Sequence, residues 1–186
     1  MPLLGGQRRF AFAALASVMA LALCASAAGA ASPLEWAVKA NYLYKFTPFV
    51  TWPPRAFPQP STPLTLCVVG DDPFGPALDE AVRNQPGGGR PVVVRRLASI
   101  GPDSGCHVLF VAHSPAQTQA EALRAVAGQP VLTVADAGPG TEASAIVFVI
   151  QDGHVRFDIR EEVCKAAGLV VSSKLLGLSV SRRRTE

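Results

Sequence analysis

Three histidines, two adjacent aspartates after an apolar run, a Ser-Ser-Lys triplet and four cysteines are the groups of this chain with types suited to chemistry. His107, His113 and His154 are not joined to carboxylates or thiols at a recognised metal-ligand spacing. On one face of a regular strand, His107 and His113 would stand about 20 Å apart, too far to share an ion. His154 falls at a turn and reads as solvated. Gly70-Asp71-Asp72-Pro73-Phe74-Gly75 sits where open sheets bind phosphates. Its two carboxylates would repel a phosphate, Pro73 removes an amide donor, and neither a P-loop lysine nor a three-glycine fingerprint follows. Asp71 and Asp72 are expected to turn the chain and cap a helix, since no further carboxylates continue a calcium loop. Ser172-Ser173-Lys174 lacks the Ser-x-x-Lys spacing and reads as a helix start. The chain is therefore expected to have no catalytic residues, metal or cofactor, and not to be an enzyme.

The elements that position these groups begin after a leader. Arg8 and Arg9 precede an apolar stretch from Ala11 to Leu23, and Ala28-Gly29-Ala30 supplies small residues. A basic start, an apolar run too short to span a bilayer and an A-x-A site predict a secretory signal peptide over 1–30, cut after Ala30 or Ala31. The context of Arg8-Arg9 fits the twin-arginine route poorly, and Leu23 before Cys24 disfavours lipid attachment. One domain over 31–186 should remain, soluble in the periplasm and not inserted in the membrane. Without the two leader arginines the formal charge falls from +3 to +1, and no basic stripe interleaves with aromatics, so nucleic acid is excluded as a partner.

A helix is predicted over Pro33 to Val50 from the spacing of Trp36, Ala40, Leu43 and Phe46, with a proline-rich loop to Pro63. Apolar runs then predict strands at Leu64 to Gly70, Pro91 to Leu97, Cys106 to Ala112 and Pro130 to Val134. Helices are predicted at Pro73 to Arg83 and at Pro115 to Ala127, the latter capped by Ser114. Ala145 to Ile150 and Val155 to Ile159 flank an Asp152-Gly153 tip, a hairpin signal. Helical segments at Glu161 to Ala167 and Ser172 to Leu178 close the chain. Strands alternating with helices predict a single-domain α/β fold: an open, mostly parallel sheet of five to six strands, helices on both faces, and a C-terminal hairpin.

The exported part holds Cys67, Cys106 and Cys164, an odd number in an oxidising compartment. Cys67 lies in the first predicted strand and Cys106 opens the third. These neighbour one another in many doubly wound sheets, within the Cα separation a bridge requires. A Cys67–Cys106 disulfide is predicted, with Cys164 left as a thiol.

Six blocks in order resemble the YfiR family of periplasmic proteins. They are Lys39-Ala40-Asn41-Tyr42-Leu43-Tyr44-Lys45-Phe46 with Trp52-Pro53, then Leu64 to Gly75, Cys106 to Val111, Pro130 to Asp136, Val155 to Ile159, and Ala166 to Leu178. Arg160 stands where the family usually has Asn. The resemblance implies a non-enzymatic negative regulator. It would bind the periplasmic sensory domain of an inner-membrane diguanylate cyclase, or of a histidine kinase, and so modulate cyclic di-GMP signalling and biofilm behaviour. It further implies relief by redox state or an outer-membrane lipoprotein, and a homodimer. The C-terminal segment, with Phe157, Glu162, Leu169, Val171 and Leu175, is the expected partner contact. The competing reading is a single-lobe periplasmic sensor of a small ligand, its pocket lined by Tyr42, Tyr44 and Trp52.

Overall fold

Six strands form the main sheet in the order β3-β2-β4-β5-β6-β7, where β2 is Leu64–Val69, β3 Val92–Leu97, β4 Val108–Val111, β5 Leu132–Asp136, β6 Ile146–Gln151 and β7 His154–Ile159. All neighbours run parallel except β6 and β7, which form the hairpin. This is a computed structural model, and it describes residues 31–83 and 90–183. The expected signal peptide, the Pro86 to Gly89 loop and Arg184 lie outside the described residues. From Pro33 onward the chain forms one compact unit.

The central strands are apolar on both sides because both sides are covered. Leu66 and Val68 of β2 and Phe110 of β4 face α1 (Pro33–Phe46) and α2 (Pro76–Arg83). The alternate residues Cys67, Val69, Leu109 and Val111 face α3 (Gln119–Ala125) through Ala122 and Leu123. Period-two alternation in these runs, where Thr65 alone is polar, thus builds two cores on one sheet. At the hairpin tip Asp152 and Gly153 both take positive φ, 52° and 70°, which a two-residue turn between twisted strands requires.

Several boundaries differ from expectation. The first helix ends at Phe46, and Pro48 initiates a short 3₁₀ turn, Thr47–Phe49. The second helix starts at Pro76 rather than Pro73, because Asp72 Oδ1 accepts from the Phe74 amide at 2.8 Å and holds a turn there. The third is capped by Thr118, not Ser114. Thr118 and Glu121 form a reciprocal capping box. Ser114 instead bonds the Ala116 amide and the Ala98 carbonyl, and the Gln117 side chain bonds both the amide and carbonyl of Ile100. These contacts hold residues 114–117 out of the helix. The closing helices are α4 (Glu161–Ala166), α5 (Ser173–Leu176) and α6 (Val180–Arg183). One element was not expected: β1 (Val50–Thr51) pairs antiparallel with β8 (Val170–Val171) in a separate two-stranded ribbon.

Candidate functional site

The carboxyl ends of the parallel strands are where an open sheet would bind a ligand, at the point where the chain leaves β2 and β4 in opposite directions. Here that crevice is sewn together. The Asp71 amide donates to the His113 carbonyl at 2.7 Å. Gly70 adopts φ +91°, and a Cβ there would stand 2.3 Å from the same oxygen. Asp72 and Asp79 turn away to Arg96, whose guanidinium lies 2.6 and 2.8 Å from their carboxylates. The hydrogen bond from Arg96 holds the Asp79 carboxyl below the usual range. Asp71, Asp72 and His113 thus close loops. His154 is exposed on the hairpin, and Ser172 caps α5 by accepting from Leu175 N.

One buried charge lies nearby. Lys39 on α1 is 3% exposed, with Glu35 at 2.6 Å and Asp136 at 2.8 Å. Its ammonium also lies 4.3 Å from the Trp36 ring centroid. Burial pushes the Asp136 carboxyl upward, and Lys39 pulls it back in part. The cluster fixes α1 to the end of β5.

At the opposite, amino-terminal end the predicted disulfide is present. Cys67 and Cys106 are bonded, with Cα atoms 5.9 Å apart, and both are buried. Cys164 is a buried thiol that desolvation pushes up to about 11, so it is protonated and unreactive at neutral pH. Next to Cys106, the His107 ring is bonded at both nitrogens: Nδ1 accepts from the Thr65 amide at 3.0 Å and Nε2 meets the Ala56 carbonyl at 2.8 Å. Burial lowers its basicity below the ordinary imidazole value. Among the described residues no group of three or more His, Cys, Asp and Glu is placed to hold a metal.

The C-terminal segment divides into an interior and a surface. Phe157 packs in an aromatic cluster with Tyr42, Phe46 and Phe148. Leu169 and Leu175 are also core residues. Glu162 is exposed and Val171 half-buried. The five residues expected at the contact are therefore one region of chain but not one face. The surface there carries Val170, 66% exposed, and Phe49, 36% exposed, brought close by the ribbon and by the Ser172 amide donating to the Phe49 carbonyl. Sequence reasoning did not place these two at the contact, since neither a two-residue strand, which holds Val170, nor a three-residue 3₁₀ turn, which holds Phe49, has a periodicity to read. Glu162 also borders a mostly apolar cavity of about 340 Å³ between α3 and α4, lined by Leu123, Val126, Val131 and Val163, with Arg124 at its rim. Tyr42 belongs to the aromatic core instead, and Trp52 stacks edge-on to Phe57. Tyr42 and Trp52 thus pack in different aromatic groups.

Arg160, the residue at the family's usual Asn position, donates to the Thr141 and Ser144 carbonyls, both at 3.1 Å, and ties the loop before β6 to the end of β7. Among the described residues no helix is long and apolar enough to cross a membrane. A family model described as YfiR/HmsC-like matches residues 36–180, most of the chain and nearly all of the described unit. No curated protein matches the chain significantly.

Proposed function

The chain belongs to the YfiR/HmsC-like family, periplasmic regulators of cyclic di-GMP signalling, and we propose that it binds the periplasmic sensory domain of an inner-membrane diguanylate cyclase and holds it inactive. The observation that carries this reading is the match over residues 36–180, which takes in every strand of the sheet. The closed crevice and the structural use of the polar groups agree with a protein that works through its surface. A binding module of this kind needs only unequal affinity for two states of its partner, because that difference shifts the signalling equilibrium. We place the contact on the C-terminal segment, with Glu162 and Val171 at the surface beside Val170, and with Phe157, Leu169 and Leu175 holding that surface from behind. A homodimer would present two such surfaces symmetrically.

Deleting the gene while measuring cyclic di-GMP tests the reading. The second messenger should rise, and the exported protein should co-purify with a membrane cyclase. An unchanged level, with no membrane protein recovered, would refute it. A second reading, a small-ligand sensor acting on a membrane histidine kinase, is favoured by the cavity between α3 and α4, whose volume is at the lower end of the small-molecule range. Stabilisation by a solute in a thermal-shift series, lost on filling the cavity with Ala166→Leu, would support it.

A further inference from the structure

Residues 53–63 cross the amino-terminal end of the sheet between the β1–β8 ribbon and β2, and a stack of three side chains holds them there. The Phe57 ring lies parallel to the His107 ring, with centroids 4.3 Å apart and planes 5° apart. The Arg90 guanidinium carbon lies 4.0 Å from the Phe57 centroid. Two groups so close to one centroid occupy opposite faces of it. Arg90 also donates to the Pro60 carbonyl at 2.8 Å and to the Thr62 carbonyl. His107 reaches the same segment through Nε2 and the Ala56 carbonyl.

Both ring nitrogens have fixed roles. The Thr65 amide can only donate, so Nδ1 is the acceptor and Nε2 carries the proton it gives to Ala56. This arrangement exists for the neutral ring alone. A proton on Nδ1 would face the Thr65 N–H across 3.0 Å, donor against donor. Neither backbone can retreat. His107 N donates to Thr65 O, its carbonyl accepts from Leu132 N, and the preceding residue is tied through the disulfide to β2. Relief must come from rotation of the ring, which withdraws Nε2 from Ala56 and uncovers Phe57.

We propose that His107 is an acid-sensitive latch: as neutral imidazole it clamps residues 53–63 to the sheet, and as imidazolium it lets them go. Burial and Arg90 disfavour the charged ring and outweigh the Ala56 carbonyl, whose hydrogen bond favours it. From β2 the ring meets the Thr65 amide, from a second 3₁₀ turn, Pro54–Ala56, the Ala56 carbonyl, and from beyond Phe57 the positive Arg90; among the described residues no carboxylate acts on it to favour the charged form. Clamping is complete above the ordinary histidine value of about 6.5 and is lost as pH falls below it. The freed segment adjoins the ribbon, because Arg55 and Pro53 lie against Gly168, two residues before Val170. The latch is independent of the partner-binding reading, but it would transmit external acidity to that surface.

Hydrogen exchange of the exported protein at about pH 7.5 and about pH 5, corrected for the intrinsic rates, tests it. Peptides covering 53–63 should lose protection by about tenfold in acid while those covering β5 keep theirs. The same step should vanish in His107→Phe, which stacks on Phe57 but cannot titrate. Equal loss in both regions, no loss in either, or a step that survives in His107→Phe would overturn the proposal. If that variant does not fold, NMR titration of the wild-type ring decides. A midpoint below about 6.5 that coincides with opening of the segment supports the latch, and any other midpoint refutes it.

Discussion

Cys67 and Cys106 are joined across 39 residues, and the bond ties the middle of β2 to the residue that precedes His107. In the chain-entropy picture a loop of that length stabilises by about 4 kcal/mol. Reduction of a protein spanning residues 31–186, or Cys67→Ala with Cys106→Ala in it, should lower Tm by about 10 °C. Under denaturing conditions alkylation should label one thiol before reduction, Cys164, and three after it. Three labelled before reduction would contradict the bridge.

Gly70 bears the closest backbone approach in the molecule's closed crevice. Gly70→Ala combines a left-handed φ with a Cβ driven against the His113 carbonyl. It should destabilise by about 3 kcal/mol in denaturant unfolding. Gly153→Ala, where a Cβ would meet open space, should cost about 1 kcal/mol.

Lys39→Met removes the buried ammonium that pairs with both Glu35 and Asp136. A loss of about 2 kcal/mol is expected, with Asp136→Asn costing less because the remaining Lys39 keeps Glu35. Urea unfolding of the two single variants and the double variant would give the coupling between them.

Asp158 anchors the C-terminal helix. Its burial alone would push the carboxyl up, but hydrogen bonds from Ser179, Ser181 and the Ile159 amide outweigh that and hold it below the ordinary aspartate value of about 3.9. The sign follows: the folded form favours the carboxylate, so its contribution is complete above that value and is lost as pH falls below it. Asp158→Asn should flatten the acid limb of stability. Ser179→Ala, which removes a 2.6 Å bond to Asp158 and one of the two side-chain acceptors for Ile159 N, should cost about 1 kcal/mol at neutral pH.

The strands were legible because they are apolar runs broken by Gly and Pro, and the hairpin because Asp152-Gly153 admits few alternatives. The Cys67–Cys106 pair followed once β2 and β4 were neighbours. Helix starts were less legible. Ser114 and Thr118 are equally good caps in sequence, and the choice was made by Gln117 bonding Ile100 seventeen residues away. The same limit applies to the C-terminal surface. Leu169 and Val170 are adjacent and both apolar, yet one is core and the other 66% exposed. Only the pairing of Val170 with Thr51 fixes which way each points. His107 lost its metal role on spacing alone, but its stack with Phe57 depends on a loop whose path no local pattern encodes.

That the protein acts through its surface is tested most directly by calorimetric titration with the periplasmic domain of a membrane diguanylate cyclase from the same organism. The exported form should bind with micromolar affinity or better, about −8 kcal/mol. Val170→Asp and Glu162→Lys should each weaken binding by about tenfold or more while circular dichroism and Tm stay unchanged. Wild-type affinity in both variants, or no heat of binding to the domain at all, would contradict the account.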